Sequence, residues 1–425
     1  MSESSKHKLM IASERAMARM KRRRSAERRF RIYGQACILF SILALGWLLA
    51  SVLSTGLSAF TQHWVRVDLP VISANSGMES DRKRLTDALA ERFDVGDGLD
   101  ARRDLLSLVS ATVATEQYRA QANGSQTSVQ LSVPVSAPSN QFFKGRVDQS
   151  IPEAQRALTD QQIAWLETMN SEGLISRQFN FGLFTNADSR SPEHAGIATA
   201  IFGSVMIVLI SGAIAIPLGI GAAIYLDSFA PRTGWAGHLT RALEVNINNL
   251  AAIPSIIFGL LGLAIFINLV GLARSIPLVG GLVMALHMFP TIVIASRSAL
   301  QAVPESLTDS ALSLGASRIQ AVFNHKVPVA TPAMLTGAII GMAQALGGTA
   351  PLLMIGMVAF VTTVPETPMD PATALPVQIF LWSGSSDTAW AEIASAAIIV
   401  LLIVLMLING LAVIVRERLQ RHRKI

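Results

Sequence analysis

The 425-residue chain is 51% hydrophobic and only 15% charged, against the roughly 25% charged residues of ordinary soluble domains, and its mean hydropathy is +0.44. These values exclude a soluble protein and make a lipid bilayer its main solvent. The net charge of +6 has two readings, nucleic-acid binding or membrane topology, and its distribution along the chain decides between them.

Residues 1–33 form a basic segment with eleven Lys and Arg, densest in RMKRRRSAERRFR at 19–31. An uncharged run at 34–57 follows and is the first predicted membrane span. Its apolar core is too long for a cleaved signal peptide, and 54–59 offers only a weak small-residue pattern, so it reads as an uncleaved anchor. The single cysteine, Cys37, lies within this run. Without a partner it forms no internal disulfide and reads as a small apolar side chain.

Residues 60–195 mix charges of both signs. Helices are expected at 80–93, 101–121 and 153–172. Between them Asn123-Gly124 signals a turn, and TSVQLSVPVS (127–136) alternates Thr127, Val129, Leu131, Val133 and Val135 with its other residues, the period of a half-buried strand. Pro134 places that strand at a sheet edge. The result is a small α+β domain with its own core. It shows no metal-ligand spacing, nucleophile constellation or glycine-rich phosphate loop, and reads as a docking or stabilising module.

Five further runs, at 196–226, 248–271, 278–296, 333–361 and 393–415, complete six predicted spans, so both termini lie on one side. Loops 227–247 and 297–332 carry two and three basic residues and the tail 416–425 five, whereas 272–277 holds only Arg274 and 366–392 none. The positive-inside rule then puts both termini in the cytoplasm and 60–195 outside. Membrane-flanking charge accounts for the basic ends, and no nucleic-acid partner is expected. Arg297, at the end of the fourth span, reads as a boundary anchor.

The segment 303–328 falls between the fourth and fifth spans. Val303-Pro304 ends the preceding span, and Glu305, Thr308 and Asp309 supply acidic and capping groups for a helix start. Leu307, Ala311, Leu312, Gly315, Ile319, Val322 and Phe323 recur at helical spacing. Gly315 suits an elbow between two short helices, and Pro328 is expected to close the second. Such an amphipathic pair either fills a groove on another protein or lies at the membrane interface.

Asp309-Ser310-Ala311, Gly315 and Val327-Pro328 resemble the coupling motif of ABC-importer permeases, in which Glu-Ala-Ala, a glycine four residues on and a later Leu-Pro form the helix gripped by the ATPase. VPESLTDSALSLGAS (303–317), MLTGAIIGMAQALGGTAPLL (334–353), ALPVQIFLW (374–382) and EVNINNLAAIPSIIFGLLGL (244–263) are similar to the PstA-type permeases of phosphate importers, in particular to members with a long insertion after the first span. The resemblance covers about residues 30–420. It implies a type I ABC importer permease fold in which 196–415 is the transmembrane core and 60–195 an inserted periplasmic domain. The setting is the bacterial inner membrane. The implied partners are a second homologous permease, an ATP-binding subunit dimer and a periplasmic phosphate-binding protein. No GxxxxGK[ST] loop occurs in the chain, so ATP belongs to a partner and this subunit is a non-catalytic one without a cofactor of its own.

The same resemblance implies that Glu305, Asp309, Ala311, Gly315, Ala316 and Pro328 serve ATPase coupling. Family members often carry Arg and Glu at the positions of Gln344 and Gly348, so the charged pair is absent here. The substrate-path candidates that remain are Gln344 and Thr349 beside GGTAP (347–351), Ser255 and Asn249 around Ile253-Pro254, and His287. Broken helices tolerate irregular backbone beside an aqueous path, although Ser255, Thr349, Gly341 and Gly347 are equally what helix packing in bilayers uses. His287, one turn from Pro290, either serves function or donates to a carbonyl that the proline frees. Two alternatives stand beside phosphate import: a permease for another oxyanion such as sulfate or molybdate, and a receptor with an external sensing domain.

Overall fold

The computed structural model describes residues 3–70, 78–93, 95, 98–122 and 128–421. The expected Asn123-Gly124 turn and the last residues of the basic tail lie outside these. The chain divides into two units, residues 1–54 and 55–425. The first consists of most of one helix, α1 (Glu3–Gly56), 54 residues long, or about 80 Å. The expected basic segment and first span are therefore one continuous helix.

The second unit begins with an α/β part. Strand β1 (Thr61–Pro70) is followed by α2 (Met78–Arg92), α3 (Leu99–Leu106), α4 (Ala111–Ala122), β2 (Ser128–Pro134), α5 (Ala137–Phe143), α6 (Asp160–Ser171), β3 (Ile175–Phe179) and the single turn α7 (Gly182–Thr185). The sheet is antiparallel in the order β2-β1-β3, so the Pro134 strand is at an edge, where its missing N–H costs no ladder bond. Val65 pairs Val133 and Val67 pairs Leu131. These side chains meet Leu85, Leu89, Leu105, Leu166 and Met169 in one buried core. The helix expected at 101–121 is two helices. Val109 bridges Val135, and the Ser110 N–H donates to the Pro134 carbonyl at 3.0 Å, so the sheet edge takes the backbone that a continuous helix would use. The helix expected at 153–172 starts at Asp160, behind a capping box of Thr159 and Gln162.

The membrane part comprises α8 (Ala198–Ile224), α9 (Gly234–Ala251), α10 (Ser255–Gly262), α11 (Pro277–Gln301), α12 (Glu305–Ser313), α13 (Arg318–Ala321), α14 (Val327–Gly347), α15 (Thr349–Met354), α16 (Leu375–Ser383) and α17 (Thr388–Arg421). Among the described residues five helical stretches are long and apolar enough to cross a membrane, six if one bent pair counts as a span. Helix α11 lies at the centre, packed against α8 and α14. Val279, Val283, Met284, Met288 and Ile292 on it are buried with Ile207, Ala345 and Leu352.

Two expected spans are corrected. The third, 248–271, straddles a bend of 105° between Gly234–Ala251 and Ser255–Leu269. Pro254 cannot donate a helical hydrogen bond and biases Ile253 away from helical geometry, so the chain turns there, and most of the expected loop 227–247 is helix α9. The fifth, 333–361, begins earlier, within a helical stretch at Arg318–Gly347, and stops at Gly348 (φ −75°, ψ 84°). Pro351 has no N–H to donate to the Gly347 carbonyl four residues back, which separates α15 from α14.

Candidate coupling corner and translocation path

Pro304 precedes the first residue of α12, so Glu305 sits in the first turn, where a carboxylate complements the helix dipole. Thr308 and Asp309 are not caps. The Thr308 hydroxyl donates to the Glu305 carbonyl at 2.7 Å, and Asp309 lies exposed in the second turn. The helix ends as expected at an elbow, with Gly315 at φ +89° and the Ala316 N–H donating to the Ala311 carbonyl at 3.1 Å. Ala311 is buried and Ala316 half-buried. A capping box of Ser317 and Gln320, legible as S-x-x-Q but overlooked in the sequence, starts α13.

Pro328 does not close the second helix. A π turn at Val322–Lys326 leads directly into α14, with Pro328 in its first turn; a widened turn accommodates the missing donor. The corner is thus continuous with a long membrane helix. It is also tied to the π turn Tyr225–Phe229 that follows α8: the Lys326 ammonium is 2.7 Å from the buried Asp227 carboxylate, Phe323 stacks on Phe229 at 6.4 Å, and Arg318 lies over the Phe229 ring. The corner also exposes Leu312, Leu314, Ile319 and part of Phe323, with Leu314 90% exposed.

The substrate-path candidates divide. Ser255 opens α10 and Thr349 opens α15, and these two helices pack together. The approach is close because Gly259 has no side chain: a Cβ there would lie 2.7 Å from the Pro351 carbonyl oxygen. His287 faces the same helix, edge-on to Phe258 with ring centroids 5.1 Å apart. Its Nδ1 is buried without a hydrogen-bond partner among the described residues, so it does not donate from that nitrogen to a carbonyl freed by Pro290. Gln344 is exposed on α14 one turn before the Gly348 break, and Thr349 is half-buried. Asn249 is exposed in the last turn of α9, on the other arm of the bend. At Gly348 a Cβ would meet Met284 Cε at 2.7 Å, so the glutamate that the resemblance leads one to expect there requires the Met284 thioether to move.

Two polar contacts are absent from the sequence reading. Arg297, in the last turns of α11, bonds Glu244 of α9 at 2.6 Å. The sequence shows only that Arg297 ends the uncharged run at 296. The second centres on Glu392 at the start of α17, only 3% exposed. Its carboxylate accepts hydrogen bonds from Ser58 at 2.8 Å, Lys144 at 2.6 Å and Gln141, and Arg146 lies 3.2 Å away. Burial pushes the Lys144 ammonium below its ordinary pKa, and the Glu392 charge and hydrogen bond oppose that shift.

Residues 215–423 match the family described as "Binding-protein-dependent transport system inner membrane component", and residues 17–153 match a domain of unknown function, DUF3333. The probable ABC transporter permease protein YqgH of Bacillus subtilis is 29% identical over 266 residues, which cover 61% of this chain and 82% of that protein. The phosphate transport system permease protein PstA of Yersinia pestis is 30% identical over 220 residues, covering 51% of this chain and 71% of that one. A solved inward-facing structure of the MetNI methionine ABC transporter superposes with a TM-score of 0.43 at 19% identity, covering 52% of this chain and 94% of that chain. The chain belongs to the PstA-type permeases, non-catalytic membrane subunits of binding-protein-dependent ABC transporters.

Proposed function

We propose that this chain is a permease subunit of an ATP-driven phosphate importer, forming half of the translocation path and receiving force through residues 305–323. The observation that carries the coupling role is the corner itself: an exposed apolar knob on a glycine elbow, built into the same helical stretch as a membrane helix. Exposed leucine, isoleucine and phenylalanine at one helical corner are the signature of a face that a partner buries. In this reading ATP closes a dimer of ATP-binding subunits, α12 and α13 move with it, and the continuous stretch to Gly347 carries the motion into the bundle around α11. The Lys326–Asp227 pair makes the π turn after α8 move with the corner.

Phosphate as cargo is supported by the resemblance and by relatives such as the Yersinia pestis protein. The basic flanks support cytoplasmic termini, an external domain at 60–195 and a core at 196–415, in a bacterial inner membrane. A second homologous permease completes the path, and a periplasmic phosphate-binding protein delivers the anion. Ser255, Thr349 and His287 line that path in this reading, at the junction of α10, α15 and α11.

The test is reconstitution. Purification of the tagged chain from its native membrane is expected to recover an ATP-binding subunit and a second permease. Proteoliposomes holding that complex are expected to accumulate radiolabelled phosphate only with ATP and the binding protein. Uptake of sulfate or molybdate in place of phosphate would overturn the cargo assignment.

A further inference from the structure

Helices α8, α10, α11 and α14, which hold the bundle core, contain one cation between them, Arg297. Its side chain is 21% exposed. Arg297 lines a cavity of about 230 Å³ together with Glu244, Asn248, Ser298 and Gln301, roomy beside the roughly 30 Å³ that a water molecule takes up in the liquid. One terminal nitrogen of Arg297 bonds Glu244 at 2.6 Å, while its Nε is buried with no hydrogen-bond partner among the described residues. A guanidinium has five N–H donors in a planar fork that matches tetrahedral oxyanions, so the contact with Glu244 leaves donors to spare. The buried Nε is out of reach of a ligand, so the donors available to the cavity are those of the terminal nitrogens. Residues 344–348 carry no charge, and an arginine–carboxylate pair stands between α9 and α11.

We infer that the Arg297–Glu244 cavity is a transit site for a protonated oxyanion, inorganic phosphate. The inference rests on the phosphate reading above and takes its place at the inner end of the path from the topology proposed there. Arg297, Asn248 and Gln301 supply donors. Glu244 supplies what a simple anion site lacks, an acceptor for an O–H. Near neutral pH inorganic phosphate keeps at least one O–H and satisfies both partners. Sulfate has none and meets the Glu244 carboxylate as a like charge. The phosphate of a phosphodiester lipid has no P–O–H either, so the same carboxylate disfavours that phosphate.

The experiment uses the assembled complex in detergent and in proteoliposomes. Phosphorus NMR of inorganic phosphate is expected to show saturable line broadening by the complex. Arsenate, which is also protonated, should compete; sulfate and phosphatidylglycerol should not. Glu244→Gln is expected to let sulfate compete. Arg297→Gln is expected to weaken binding about tenfold or more, the order of a lost charged hydrogen bond. Because one unpaired charge can harm folding, the decisive variant is Arg297→Met with Glu244→Met, which removes both charges together and is tolerated by most partly buried pairs. It should assemble, yet lose both the broadening and phosphate uptake by about tenfold or more. Parental uptake by this assembled double variant overturns the site while leaving the phosphate reading intact. Competition by sulfate in the parental complex overturns the proton-selective role, and displacement by phosphatidylglycerol assigns the cavity to lipid. A parental complex that takes up no phosphate at all overturns the functional reading and this site with it.

Discussion

Gly315→Val is expected to abolish most ATP-driven uptake while leaving membrane insertion intact. Gly315 has φ +89° and no other atoms within 4 Å of an added Cβ, so a side chain meets open space and the penalty is purely one of backbone conformation. A β-branched residue at positive φ is a severe outlier, and strain of this kind costs about 1–3 kcal/mol, equivalent to about 5- to 150-fold in a coupling equilibrium. Asparagine tolerates the left-handed region, so Gly315→Asn should retain most of the activity. Gly315→Glu adds a charge beside Leu312 and Leu314 and should be as damaging as valine. Uptake rates in proteoliposomes, normalised to inserted protein, check the order Asn above Val and Glu. Equal activity for all three would show that the elbow's geometry is irrelevant to transport.

Glu392→Ala is expected to lower the stability of the chain by about 3–5 kcal/mol, the cost of breaking a buried ion pair from one side. The change strands Lys144, whose side chain is only 8% exposed, and removes the ion pair of Arg146, which keeps its bonds to Ser58 and the Thr55 carbonyl. A thermal melt in detergent should show a drop of several degrees. The pH dependence gives a sharper check. The folded-state pKa of Lys144 is held below its unfolded value, so between the two values the unfolded chain binds more protons and stability rises with pH. Removing Glu392 takes away the group that opposes this shift and widens the window downward from the unfolded value of about 10.4. The variant should therefore recover part of its stability as pH is raised from neutrality toward 10, more than the parent does. A variant that melts like the parent at every pH would mean that the α/β part is not held to α17 through this carboxylate.

Much of the bundle was legible because lipid imposes one requirement on every span, a long run without charge. Helices α8, α11 and α17 satisfy it and were read nearly in place. That requirement says nothing about direction, so the spans were drawn straight through Ile253-Pro254 and Gly348, although Ile253-Pro254 and GGTAP already marked both places as breaks; the 105° angle at the first is what no run of apolar residues could show. The corner at 305–323 was readable because an acidic first turn at Glu305, helical spacing and a lone glycine agree. What failed there was detail: Thr308 and Asp309 lie inside the helix, and Pro328 begins a helix instead of ending one. Strand β1 could have been found, since Val65 and Val67 alternate with charged neighbours. The Glu392 network could not, because Gln141 and Glu392 are 251 residues apart and no local pattern joins them. Arg297 and Glu244 are likewise 53 residues apart, so the cavity between them exists only in the folded chain.

The most direct test of the account is where the corner touches its partner. The chain has one native cysteine, Cys37, so a Cys37→Ser background carrying Leu314→Cys places a single thiol at the most exposed point of the knob. Cross-linking of the assembled, transport-active complex is expected to join this chain to an ATP-binding subunit, with a yield that changes when ATP is added. A complex that still imports phosphate while that thiol reaches only reagents applied from outside the cell, and no ATP-binding subunit, would contradict the account.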